Sequence, residues 1–280
     1  MTLLVRDEED LIRENIAYHL SQGVDFIIAT DNGSVDGTTD ILREYERQGC
    51  LRLLIEEEDN YAQSCWVTRM ARIASEVYGA RFVINSDADE FWWPATGTLK
   101  EHLNKVPPHI GALSVARSNF PPTPREDGPF YDRQVIRERA SLNNRGAPLP
   151  PKVCHRGCAD VIVAQGNHSV SAPTLGEIAA DPELIIFHFP LRTYRQLENK
   201  IAKGGAAYER NLEISKGVGE TWRWLYALYQ QGGLERWYAE QVLRADDVSA
   251  GVREGRLIED RRLQLHLRAC DLTLKPPARH

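Results

Sequence analysis

A chain of 280 residues holds one large α/β domain, or a core of roughly 200 residues with an appendage. Hydrophobic residues at 42% and charged residues at 26%, with both signs interspersed, exclude a disordered or fibrous chain. The formal net charge of -6 and pI near 5.8 exclude a coat for nucleic acid, because phosphate binding draws on a surplus of Lys and Arg.

Strand and helix signals alternate from the start, the pattern of a mostly parallel sheet flanked by helices. "TLLV", directly after the first Met, is a strand. Asp7 is placed to cap a helix whose apolar positions Leu11, Ile12, Ile16 and Leu20 recur at helical spacing. "VDFIIAT", residues 24–30, is a second strand. Asp36 caps "GTTDILREYERQG", where Ile41, Leu42 and Tyr45 share a face and Gly49 supplies the stop. "LRLLIE" is a third strand, Gln63 to Tyr78 a third helix ended by Gly79, and "RFVIN" a fourth strand that runs into "NSDADEFWW".

Further on, "TGTLKEHLNKV" reads as a short helix. The segment from Pro107 to Pro151 carries nine of the fifteen prolines, a density that favours loops over packed elements. Short strands at "GALSVAR", "DVIVAQG" and "LIIFHF" add mixed or antiparallel pairing. From Tyr194 to Leu272 the period is helical, with Trp222, Trp224, Tyr226, Tyr229, Trp237 and Tyr238 clustered in it. These signals predict an α/β core over 1–205, a mixed sheet flanked by helices, and a C-terminal helical extension over 206–280.

Five cysteines, an odd number, follow no signal-peptide pattern, which points to a reducing cytoplasm. No apolar run approaches the roughly 20 residues that span a bilayer. Trp222, Trp224 and Trp237 beside Arg223 and Arg236 raise a peripheral membrane association, at the inner membrane face; a packed helical cap is the more ordinary reading of such a cluster. Cys154, His155 and Cys158 sit together in "KVCHRGC", but no second pair at finger spacing completes a zinc tetrahedron, so zinc is excluded.

Ligands of open α/β sheets sit outside the carboxyl ends of the strands, and two such ends are acidic here. Strand two ends in "TDNGSVDGTTD", with Asp31 and Asp36; strand four ends in "NSDADEFWW", with Asp87, Asp89 and Glu90. In an extended segment alternate residues point one way, so Asp87 and Asp89 can aim at one hard cation that also takes phosphate oxygens. A lone Asp-x-Asp is most often a pair of solvated loop acids. The Gly-rich turn of "DNGSVDGT" before a helix start, a setting suited to anions, strengthens the ligand reading.

"VRDEEDLIRENIAYHLSQGVDFIIATDNGSVDGTTDIL", followed some fifty residues later by "RFVINSDADEFWW", resembles the family-2-like glycosyltransferases of the GT-A fold, in the bacterial branch related to families 2 and 92. "GNHSV" and "FHFPLRTYRQLENKIAKGG" continue the likeness more weakly. The resemblance implies a GT-A sheet and transfer of a sugar from a nucleotide-diphosphate sugar, with UDP as the nucleotide, to a glycan hydroxyl with inversion. It implies that Asp31 reads the base and that Asp87 and Asp89 hold a divalent metal, Mn²⁺ or Mg²⁺, with Asp89 the direct ligand. Arg6 stands where such enzymes line the base and ribose pocket, although "VRDEED" replaces the usual Pro-containing strand end.

Departure of a nucleoside diphosphate needs its charge neutralised, which a metal and basic side chains supply. Arg69 and Arg72 on the third helix, and Lys200 and Lys203 beside Gly204 and Gly205, are the basic candidates; His188 in "IIFHFPLR" is a candidate metal ligand or diphosphate contact. An inverting transfer also needs a base near the acceptor. Asp160, Glu126, Asp127 and His168 are candidates, with Glu90 behind the metal and Trp92 and Trp93 as an acceptor wall. The competing readings are a sugar-nucleotide nucleotidyltransferase, against which "VRDEED" lacks the Gly-rich basic loop, and a non-catalytic carbohydrate- or metal-binding protein.

Overall fold

A computed structural model describes residues 1–60, 62–143, 145–211 and 217–273. Apolar runs become the first four strands: β1 (Thr2–Val5), β2 (Ile27–Asp31), β3 (Leu51–Ile55) at the sheet edge, and β4 (Phe82–Asp87). They lie in the parallel order β3-β2-β1-β4, joined by α1 (Ile12–Ser21), α2 (Thr38–Arg47) and α3 (Gln63–Glu76). β2 is buried at every position, which explains why "IIATD" shows no alternation. The chain then runs through β5 (Glu90–Pro94), α4 (Leu99–Asn104), β6 (Ile110–Asn119), α5 (Phe130–Arg133), β7 (Ile136–Glu138), β8 (Lys152–Arg156), β9 (Ile162–Val163), β10 (Val170–Ser171) and β11 (Glu177–His188). Four of these extend the sheet, whose full order is β3-β2-β1-β4-β8-β6-β11-β5. A mixed sheet flanked by helices is the architecture expected from the sequence.

Strand polarity builds the site. β8 is antiparallel to β4 and β6, β6 is parallel to β11, and β5 is antiparallel to β11. One edge of the sheet therefore gathers the last residues of β1, β2, β4, β6 and β11 with the first residues of β8 and β5. Read across, that edge carries Asp31, Val5, Asp87, Lys152, Asn119, His188 and Glu90.

The C-terminal region comprises α6 (Tyr194–Arg210), α7 (Glu220–Gln230), α8 (Leu234–Gln241), α9 (Ala245–Arg253), β12 (Leu257–Glu259) and α10 (Arg262–Thr273). α6 crosses residue 205 without a break. α6, α7 and α8 share a small core around Leu197, Ile201, Leu225, Leu234 and Tyr238. β12 pairs with β7, and Leu263 and Leu267 of α10 enter the main core. Gly204 and Gly205 serve this packing: a Cβ on them would stand 2.5 Å from the Trp222 ring and 2.4 Å from Tyr226. Close approach of α7, not a phosphate loop, explains these glycines.

Three local expectations change. Asp7 does not cap α1, whose N-cap is Leu11 with no side-chain bond; Asp7 takes a left-handed φ of 54° and accepts the Val35 N–H instead. "DVIVAQG" supplies only the two-residue β9, paired with β10 outside the main sheet. Trp92 is fully buried, and Trp93 stacks on Tyr18 and Phe187, so both belong to the core behind the site, not to an acceptor wall.

Candidate active site

The β1–α1 and β2–α2 loops are knitted together before any ligand is considered. The Asp7 N–H donates to Ser34 Oγ, and the Glu8 N–H donates to Thr38 Oγ1. Asp31 is 2% exposed: the Ser34 N–H donates to its Oδ1 at 3.0 Å and the Thr39 hydroxyl to its Oδ2. Both its oxygens are thus engaged by its own turn. Asp36 accepts the Thr38 N–H two residues on, in a turn ahead of α2, whose N-cap is Gly37 with no side-chain bond, so Asp36 is not the helix cap expected of it.

Asp87 ends β4, Ala88 and Asp89 form a turn, and Glu90 starts β5, so the two acids face different neighbours. Asp87 pairs with Lys152, and its Oδ1 accepts from Gln63 at 3.2 Å and Asn167 at 3.1 Å. Lys152 itself is 1% exposed, and its Nζ also lies 3.0 Å from Glu90 Oε1 in an ion pair lacking hydrogen-bond geometry. Burial pushes the Glu90 carboxyl up to about 7, against the pull of Lys152. Arg117 stands 3.7 Å from the same carboxylate.

Asp89 is buried, with Lys200 Nζ 2.7 Å from Oδ2 and His188 Nε2 3.6 Å from Oδ1. Burial would raise this carboxyl, but Lys200 and Arg192 outweigh it and hold Asp89 well below the usual range. Burial pushes His188 well below an ordinary imidazole, so the ring is neutral. Lys200 also lies 3.5 Å from Glu8. Arg192, fully buried, pairs with Glu8 and with both oxygens of Asp10, fastening the start of α6 to the β1–α1 loop.

α6 lays a basic face over this loop. Lys203 pairs with Asp7, which also accepts from Asn199 at 3.0 Å. Arg210 pairs with Asp59, which also accepts from Arg6 at 2.7 Å. The acidic segment 56–60 is tied down further by Asn32, whose amide donates to the Glu56 and Glu58 carbonyls.

The remaining expectations divide. Arg69 pairs with Glu56 on an exposed face and Arg72 donates to the Val161 carbonyl, so neither reaches the acidic turn. His168 lies beside the Asp87 group, its Nδ1 2.9 Å from the Pro151 carbonyl, and burial with Lys152 lowers it to about 4. Asp160 accepts from Cys158 elsewhere and stays exposed; Glu126 accepts from the Tyr194 N–H and the Tyr238 hydroxyl; Asp127 pairs with exposed Arg125. None of these three meets the crevice. Glu8, Asn119, Lys152 and Arg192 are the site residues that sequence reasoning missed. Glu8 was visible in the acidic run after the first strand; the other three needed strand pairing to be placed.

Beside Asp89, His188 Nδ1 is 2.7 Å from Asn119 Oδ1, and with the proton on Nδ1 the Nε2 lone pair faces a carboxylate oxygen. Two acceptors turned toward each other in a buried position suit an ion between them. Among the described residues no three His, Cys, Asp or Glu side chains form a complete cage, so ligand oxygens would complete the shell. A cavity of about 410 Å³ opens at the opposite edge of the sheet, among Met1, Phe26, Phe82 and Lys100, far from these acids.

Residues 1–172 match the profile of glycosyltransferase family 92. No curated protein matches the sequence. Among solved structures, S. aureus TarS 1-349 is 14% identical with a TM-score of 0.42, covering 91% of this chain and 90% of that one. TarS 1-349 in complex with UDP-GlcNAc is 15% identical with a TM-score of 0.43, covering 91% of each. A mycobacterial protein is 20% identical with a TM-score of 0.31, covering 42% of this chain and 40% of its own. Likenesses this distant transfer no residue and no ligand.

Proposed function

The chain belongs to glycosyltransferase family 92, and on that premise we propose that it moves a sugar from a nucleotide-diphosphate sugar, with UDP as the nucleotide, to a hydroxyl of a glycan with inversion. Family membership sets aside the nucleotidyltransferase reading. The observation that carries the proposal is the turn after β4, where Asp89 meets His188 and Lys200 while Asp87 is held by Lys152.

Asp89 and His188 would hold a divalent ion, Mn²⁺ or Mg²⁺, which when bound neutralises charge on a departing diphosphate. Lys200 and Lys203 reach the crevice from α6 and supply further positive charge to phosphate oxygens. Arg6, just after β1 and paired with Asp59, would line the nucleotide side of the crevice. In a single displacement the acceptor oxygen bonds to the anomeric carbon as the bond to the diphosphate breaks, and the acceptor proton passes to a base. His168 is the group the geometry favours: it is neutral near pH 7, and its bond to Pro151 through Nδ1 leaves Nε2 to accept. Glu90 is sealed behind Lys152 and acts on Asp87, not on substrate.

Thermal shifts with UDP, GDP and CMP, with and without Mn²⁺, test the reading. Stabilisation by UDP that requires the metal, with turnover of a UDP-sugar lost in Asp89→Ala, supports it. Indifference to every nucleotide overturns the donor, and equal stabilisation with and without metal overturns the ion.

A further inference from the structure

The last residues of β6 and β11, Asn119 and His188, are register partners on neighbouring parallel strands, so their side chains leave the sheet edge together. Asn119 Oδ1 lies 2.7 Å from His188 Nδ1, and the other ring nitrogen is 3.6 Å from Asp89. What the imidazole offers Asp89 depends on which nitrogen carries the proton. With the proton on Nδ1, Nε2 presents a lone pair, a metal ligand. With the proton on Nε2, the ring presents a donor to a carboxylate, a proton-holding pair.

The amide of Asn119 can satisfy only one choice. Its own backbone is pinned, the N–H donating to Ser141 Oγ at 2.8 Å. Its side chain meets the ring through Oδ1, which can only accept, and this contact demands a proton on Nδ1. Resting on the metal reading of Asp89 above, we propose that Asn119 is a positioning residue: it fixes His188 as the Nδ1–H tautomer and so aims a nitrogen lone pair at the cation site. The arrangement is the outer support that metal-binding imidazoles ordinarily have, here supplied by an amide oxygen.

The test reads the ring directly. Long-range ¹⁵N–¹H spectra of the full chain, labelled at histidine and assigned by loss of signals in His188→Gln, should show His188 with a protonated Nδ1 and an unprotonated Nε2 in the metal-free protein. Asn119→Leu should lose that tautomer and weaken Mn²⁺ binding, measured by electron paramagnetic resonance with UDP present, by roughly 10- to 100-fold. Asn119→Asp, which keeps an acceptor, should keep the tautomer. A wild-type ring protonated on Nε2, or an Asn119→Leu protein with tautomer and Mn²⁺ affinity unchanged, overturns the proposal. A wild type that binds no Mn²⁺ but shows the Nδ1–H ring, lost in Asn119→Leu, sinks the metal reading and leaves the positioning role of Asn119 standing.

Discussion

Asp87 and Asp89 stand one residue apart, yet they answer to different halves of the molecule. Asp87 is half-buried and fully met: Lys152 from β8, Gln63 from α3 and Asn167 from the loop before β10 all donate to it. Asp89 is buried and met on one side by Lys200 of α6, on the other by a histidine nitrogen that has no proton to give. The first is a completed ion pair, the second a carboxylate with room for a cation. Spacing in the sequence brings both acids to the crevice; the strands and helices that come later in the chain give them different work.

The largest expected effect is the one that separates the two acids. Asp89→Ala should lower kcat/KM by on the order of 10³-fold, the scale of losing a principal electrostatic stabiliser of developing charge. Asp87→Asn keeps the acceptor for Gln63 and Asn167, and should cost markedly less. Equal losses, measured by steady-state release of the nucleoside diphosphate, would remove the distinction between the two acids.

Stability should invert the order. Lys152→Met leaves Asp87 and Glu90 facing each other with their shared cation gone, and breaking a buried pair this way costs about 3–5 kcal/mol. Urea denaturation of the single variant and of Lys152→Met with Glu90→Gln checks the cause. The second substitution removes the stranded charge and should recover part of the loss; no recovery would mean that Lys152 acts by packing alone.

How far these two environments could be read beforehand depends on where their parts lie in the chain. β1, β2 and β4 are central parallel strands, so "TLLV", "FIIAT" and "FVIN" show as apolar runs, and the acidic ends of β2 and β4 mark the crevice. Lys152 was illegible for a physical reason: it opens a five-residue strand behind Pro150 and Pro151, and only its antiparallel pairing with β4 and β6 brings it to Asp87. Asn119 was hidden likewise, since its meaning comes from register with His188. Lys200 and Lys203 were visible as a basic helix, but not the acids opposite them. Asp31 shows the converse, an acid conspicuous in sequence whose oxygens close its own turn.

A smaller effect lies in the acid limb of stability on the Asp87 side. Burial, then Lys152, lowers His168 from 6.5 to about 4. The fold therefore keeps the ring neutral while the unfolded chain takes up a proton between those values. Stability from this group is present above about pH 6.5 and is lost as pH falls toward 4. Discounted for partial exposure, the contribution is up to about 2 kcal/mol. His168→Asn should flatten that part of the stability–pH curve, and an unchanged slope would assign it to other groups.

The smallest effect sits at the rim, where neither acid of the turn is involved. Asp59 holds Arg6 and Arg210 together, although all three side chains are partly exposed. Exposed pairs contribute at most about 1 kcal/mol, so Asp59→Ala should leave the melting temperature nearly unchanged. It does free two guanidinium groups on the side proposed for the nucleotide. UDP affinity should rise by about 2- to 5-fold, the equivalent of up to 1 kcal/mol, with a steeper dependence on salt because the freed charges now meet phosphate. Arg6→Met in the same background should cancel the gain. If affinity falls instead in Asp59→Ala, the carboxylate is shaping the arginines for the donor rather than competing with it, and the rim belongs with the completed pairs of the Asp87 side.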